Sequence, residues 1–190
     1  MVRKNQDSLG EMPMADMPAI ETLRERLPEE LKDLRLNLPS VLSGEHLPGG
    51  QALGVAAAAA RFARSGELVA AIESDLRAGH PDEAEALLAD AVAAAGLMGM
   101  NTVYYRFRHM IGKESYNSRP ARLRMQRLAQ PATDKPTFEL MSLACAAIAG
   151  CEACIRNHEG SLVGLGISEE ACHDAVRIAA VISGVAVGLG

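Results

Sequence analysis

The chain has 190 residues and a formal net charge of −5, with 19 Lys plus Arg against 24 Asp plus Glu. That length suits one domain, or two small halves sharing a core, and the acidic balance argues against nucleic acid as the main partner. Hydrophobic residues make up 48% and aromatics 3%, with no Trp. The core must then come from Ala, Leu, Val, Ile and Met, and the abundance of Ala, Leu, Met, Glu and Arg favours helices over strands. The fold class read from composition is all-α. Small side chains let helices approach closely but offer little bulky apolar surface, which points to an oligomer.

Residues 1–16 are polar, with Met and Pro, and read as a flexible N-terminal arm ahead of a single domain over 17–190. No export signal is visible, because the basic start lacks a following apolar run of roughly 7–15 residues. Apolar runs such as Val55–Ala60 are too short to span a bilayer, so the expectation is a cytoplasmic protein with no membrane association. Ile20, Leu23, Leu27, Leu31 and Leu34 recur at three- and four-residue steps, a helical stripe broken or kinked at Pro28. After the turn-like S-G-E-H-L-P-G-G (43–50), an Ala-rich helix runs over about 52–64, and Ser65-Gly66 separates it from another reaching about Leu76. Pro81, Asp82 and Glu83 carry first-turn chemistry for a longer helical region. Residues 112–120 read as a loop, followed by a short helix to Leu128 and a break over 130–136. The basic stretch Arg119–Arg127 reads as a solvated helix face.

Pro136 opens a helix carrying Glu139, and G-L-G at 164–166 closes the helix that holds C-x-x-C. Ser168 with Glu169 and Glu170 starts the last helix, whose core face is Ala171, Ala175, Ile178, Ile182 and Val185. The stretch 97–107 lies over 148–158 at a constant offset of 51, with Met100 on Cys151, Val103 on Cys154 and Phe107 on His158. This suggests an internal helical repeat, with a first copy over about 52–112 and a dithiol-bearing second over about 136–190. The first copy carries Met, Val and Phe as packing versions of the reactive positions.

Chemistry concentrates in G-C-E-A-C-I-R-N-H, residues 150–158. Sulfurs three residues apart sit about one turn apart and can close a disulfide. Gly150 would end one helix and begin the next, placing the pair in a first turn where free N–H groups favour a thiolate. His158 follows Cys154 by four, on the same face, and can take or return its proton. A metal clip is the weaker reading, since structural zinc wants four ligands and Cys151, Cys154 and His158 supply three. A thioredoxin fold would need strands before the motif. Cys145 and Cys172 lie on apolar stretches and read as packing residues, and His173 as a surface residue. His46, His80 and His109 sit near turns without evident partners.

With Glu139, Cys151, Cys154 and His158 in place, the chain resembles the alkyl hydroperoxidase D (AhpD) family of the carboxymuconolactone-decarboxylase-like superfamily. The resemblance runs from about Ala19 onward through L-R-L-N-L-P-S (34–40), G-L-M-G-M-N-T-V-Y-Y-R (96–106), F-E-L-M-S (138–142) and A-A-V-I-S-G-V-A (179–186). It implies a homotrimeric, lipoyl-dependent antioxidant peroxidase that carries no bound cofactor and no metal. A dihydrolipoyl group on a lipoylated 2-oxoacid dehydrogenase component, itself served by lipoamide dehydrogenase, would re-reduce the dithiol, and a peroxiredoxin would be a partner. By position, the resemblance makes Cys154 the thiol that passes through a sulfenic acid and Cys151 the proton donor that resolves it into a Cys151–Cys154 disulfide. His158 and Glu139 become the proton relay.

Helix-start exposure alone would instead nominate Cys151 as the reactive thiolate. Several relatives carry a second histidine directly before the second cysteine, where this chain has Ala153. A relay also constrains the fold, because twelve residues of continuous helix would separate Glu139 from Cys151 by about 18 Å. A reversal near Ala149–Gly150 is therefore expected. The rivals are a lyase of the carboxymuconolactone decarboxylase kind and a redox adaptor without peroxidase activity.

Overall fold

A helix that is apolar all the way round has to be buried, and the run Val55–Ala60 meets that demand with every residue at 0% exposure. The computed structural model describes residues 17–43 and 45–190, and the arm expected over 1–16 lies outside the described residues. Among the described residues the chain forms α-helices and short 3-10 structure without a strand, so the all-α expectation holds. The run belongs to α3 (Gly49–Phe62), which packs against α4 (Gly66–Gly79), α5 (Ala84–Ile111), α8 (Lys135–Ala149) and α10 (Glu169–Gly188). Alanine makes this possible, because a short side chain lets four neighbours close on one helix. At Gly54 even a methyl group is excluded: a Cβ there would meet Met141 Cε at 2.8 Å and Leu87 Cδ2 at 2.9 Å.

Around that centre, α1 (Pro18–Glu25) packs on α4, and α2 (Lys32–Leu42) packs on α10. The stripe Ile20–Leu34 is interrupted after α1, and the chain resumes at Glu29–Leu31 as a 3-10 turn, as Pro28 requires. One-turn helices α6 (Glu114–Asn117) and α7 (Gln126–Ala129) lead to α8, and α9 (Glu152–Gly164) lies against α8 and α5. Residues 112–120 thus contain a helical turn that the sequence did not suggest. Most of the basic stretch is not helix: Pro120 and the left-handed Arg122 (φ 53°) keep it irregular up to Gln126.

α5 and α10 are each long and apolar enough, by length and composition, to cross a bilayer, with windows of mean hydropathy 1.4. Short apolar runs did not signal this. Both helices bury a face against α3 and α8, and each places an aspartate, Asp90 or Asp174, inside.

Buried aspartates tie distant segments together. Asp75 on α4 accepts from Ala19 N at 3.0 Å and Ile20 N at 2.8 Å, meeting the unpaired donors at the start of α1. Asp174 accepts from His46 Nδ1 at 2.9 Å and Arg177 Nη1 at 3.0 Å, so His46 has a partner 128 residues away. Burial pushes the Asp174 carboxyl up, but these two hydrogen bonds outweigh it and hold it low. Asp90 takes Arg127 Nε at 3.0 Å and Ala132 N at 2.9 Å on one oxygen, and Thr133 N at 2.8 Å and Thr133 Oγ1 at 2.7 Å on the other. It anchors the approach to α8, whose Asp134 cap accepts from Thr137 N at 2.7 Å.

Replacing Asp90 with Ala leaves a guanidinium and two backbone donors without their acceptor. Because Arg127 is 38% exposed, we expect a loss of about 1–3 kcal/mol in unfolding free energy, the cost of donors left without their acceptor. Denaturant titration measures it, and a loss under about 1 kcal/mol, the level of an ordinary exposed pair, would contradict the anchoring role.

Candidate active site

Glycine at 150 determines where the functional groups go. It adopts the left-handed conformation (φ 62°, ψ 36°) that ends α8 and that only glycine enters without strain. Its N–H donates to Ala147 O at 3.0 Å, and the Cys151 N–H donates to Ala146 O at 3.2 Å, the paired bonds of a Schellman helix end. The chain reverses there, as the relay distance required, and α9 folds back along α8. The stretch at offset 51 behaves differently: Gly99 lies within the uninterrupted helix α5.

Cys151 is the residue before α9, and Cys154 sits in its first turn. They form a disulfide with Cα atoms 5.2 Å apart. Cys151 is 0% exposed and Cys154 6%. This corrects the exposure argument for Cys151, which is the more enclosed of the two because it sits in the tight reversal between packed helices. Ala153, between them, lines a cavity of about 420 Å³ whose other walls are Tyr105, Arg108, His109, Gly112 and Asn117.

One turn beyond Cys154, His158 directs Nδ1 to Glu139 Oε2 at 2.5 Å. The Glu139 side chain is 6% exposed and that of His158 13%. The second carboxylate oxygen, Oε1, lies 2.7 Å from Lys135 Nζ, and Lys135 also donates to Leu128 O at 3.0 Å. Burial works to raise the Glu139 carboxyl. Hydrogen bonds from His158 and Lys135 outweigh it and hold the group below its ordinary value. An ionised carboxylate only accepts, so Nδ1 of His158 carries the donated hydrogen and Nε2 is left to exchange a proton.

Sequence reasoning missed Lys135. The signal was present, since Lys135 and Glu139 are four apart on one helix face, but reading the helix start at Pro136 left Lys135 outside. The remaining candidates fall elsewhere. Cys145 is fully buried with Sγ 3.7 Å from Ala58 O, and burial pushes its thiol far up. Cys172 is also buried, and burial raises its thiol. His109 approaches Glu152 at 3.6 Å, and His173 is exposed. Val103 and Phe107, read as packing residues, are 65% and 46% exposed, beside Met110 at 77%.

Residues 115–188 match the carboxymuconolactone decarboxylase family. The chain is 53% identical over 173 residues to the alkyl hydroperoxide reductase AhpD of Anaeromyxobacter dehalogenans strain 2CP-C, covering 91% of each chain. It is 55% identical over 173 residues to the protein of that name from Anaeromyxobacter sp. strain Fw109-5, covering 91% of this chain and 92% of the relative. Against the one from Rhodospirillum centenum the identity is 48% over 168 residues, or 88% of this chain and 89% of the relative.

Because the folded Glu139 carboxyl lies below its ordinary value of 4.5, the unfolded chain binds the proton more readily in between. Its stabilising effect is then complete above the ordinary value and is lost as pH falls through the lower, folded one. Unfolding free energies of the wild type and Glu139→Gln, measured from pH 7 downward, should differ by a constant amount until about pH 4.5 and converge below it. A difference that grows on acidification would contradict the ionised pairing.

Proposed function

Since the chain belongs to the alkyl hydroperoxide reductase AhpD family, we propose that it reduces hydroperoxides with the Cys151–Cys154 dithiol and draws its electrons from dihydrolipoyl groups on a partner protein. The observation that carries this reading is the Glu139–His158 contact one helical turn from Cys154.

In the reduced protein His158 takes the Cys154 proton, and the thiolate attacks the outer oxygen of the hydroperoxide. The O–O bond breaks, an S–O bond forms, and the alkoxide leaves as alcohol with the Cys151 proton. Cys154 is now a sulfenic acid. The Cys151 thiolate attacks that sulfur; the S–S bond forms as the S–O bond breaks, and hydroxide leaves as water with the proton held on His158. Tethering makes this step intramolecular and gives it a high effective concentration. A dihydrolipoyl thiolate then opens the disulfide, and its second thiol closes the lipoyl ring. Two electrons and two protons return to the cysteines.

No cofactor is bound in this scheme, and no metal is used. The lipoyl carrier is a component of a 2-oxoacid dehydrogenase recharged by lipoamide dehydrogenase, and an oxidised peroxiredoxin is an alternative acceptor for the same electrons. Such a cycle belongs in the reducing cytoplasm, where an exchangeable dithiol is not locked as a structural disulfide. The exposed side chains Val103, Phe107 and Met110 on one stretch of α5 support self-association, with a homotrimer as the assembly. Ala153, where several relatives have histidine, favours one variation: exchange with a peroxiredoxin outpaces direct peroxide turnover.

The test is peroxide-dependent NADH oxidation with lipoamide, lipoamide dehydrogenase and this protein, with and without a peroxiredoxin. Turnover should require the protein, and Cys154→Ser should reduce it to background in both arms. Activity retained in that variant, or surviving complete thiol alkylation as a lyase would, contradicts the proposal.

A further inference from the structure

The chain is acidic, yet one surface is not. α5 ends in Arg106 and Arg108, Lys113 follows, and the connection to α7 adds Arg119, Arg122 and Arg124, with Glu114 the lone acid between 106 and 127. Residues 111–120 are all exposed, as are Arg122 and Arg124. Arg127, at the end of this run, is turned inward to Asp90. Among the described residues none of the other six cations forms an ion pair with a carboxylate, so their charge is not neutralised by a carboxylate of the chain.

The part of this strip from Arg106 to Arg119 adjoins the dithiol. Arg106 Nη1 donates to Ala149 O at 2.7 Å, two residues before Cys151. Arg108 and His109 line the cavity that Ala153 closes. The Arg108 guanidinium is held there by Asn117 O and by the faces of Tyr104 and Tyr105, 5.7 and 6.0 Å from the ring centroids. Fixed positive charge around a cavity at a redox pair, on a chain otherwise negative, is the arrangement that steers an oppositely charged partner.

We propose that the basic strip around the Ala153 cavity is a docking surface for an acidic protein surface that carries the reducing dithiol arm. The inference rests on the lipoyl-carried reductant proposed above. While docked, the arm's two thiols are oxidised to a cyclic disulfide as the Cys151–Cys154 bond is reduced to two thiols, so electrons and protons balance between the partners.

Three reductants separate docking from chemistry: free dihydrolipoamide, a dihydrolipoyl-lysine peptide flanked by glutamates, and the same peptide flanked by lysines. At low salt the glutamate peptide should show a kcat/KM about tenfold above the lysine peptide, and the gap should close near about 0.5 M salt. In the double variant Lys113→Glu, Arg119→Glu, beside the lining residues Gly112 and Asn117, the preference should invert while free dihydrolipoamide turnover is unchanged. Equal rates for the two peptides in the wild type, or a preference that survives charge reversal, overturns the proposal. So does a change of assembled mass in the variant by sedimentation, which would assign the strip to a second copy of this chain. The wild-type peptide and salt comparison stands even where the variant folds poorly. Failure of free dihydrolipoamide itself removes the reading beneath the proposal, and is seen separately.

Discussion

A carboxylate on one helix can serve a histidine on the next only if the chain turns back between them, and the left-handed Gly150 supplies that turn. From it follow the antiparallel course of α8 and α9, the 2.5 Å contact between Glu139 and His158, and the placement of both cysteines where α9 begins. Lys135 occupies one Glu139 oxygen and His158 the other. The carboxylate is therefore charged yet fully partnered, which burial would otherwise forbid. The anchoring extends outward. Asp90 pins the segment that delivers Lys135, and the small residues Gly54 and Ala58 let α3 support α8 closely.

The two sulfurs differ in surroundings more than in sequence. Cys151 is enclosed in the helix reversal, and Cys154 faces the first turn with His158 one turn on. Free N–H groups at the start of α9 favour a thiolate on either sulfur, so they do not separate the N-cap Cys151 from Cys154. Enclosure works against an incoming molecule at Cys151. Enclosure of Cys151 and the nearness of His158 to Cys154 support the proposed attack at Cys154 and resolution by Cys151. Cys145, deeply buried with a raised thiol, has no such help and serves packing.

Much of this architecture was legible because its causes are local. Pro136, Ser168 and Gly150 mark helix ends through backbone chemistry that acts within a few residues, and the requirement for a reversal followed from helix rise alone. What escaped was tertiary. The partners of Asp75 lie 55 and 56 residues away and the His46–Asp174 pair spans 128, separations that no periodicity encodes. Lys135 was missed by a one-residue error in a helix start. Val103 and Phe107 looked like core by analogy with Cys154 and His158. They lie instead on an unbroken helix whose outer face stays largely exposed, with only Tyr116 of α6 against Phe107, since Gly99 does not break the chain as Gly150 does.

The central claim is that His158, oriented by Glu139, makes Cys154 the reactive sulfur. Brief alkylation of the reduced protein with limiting reagent, followed by peptide mass mapping in the wild type and in His158→Phe, tests it most directly. The account predicts that Cys154 is labelled first in the wild type and that its labelling slows in the variant. Preferential labelling of Cys151, or equal Cys154 rates in the two proteins, would contradict it.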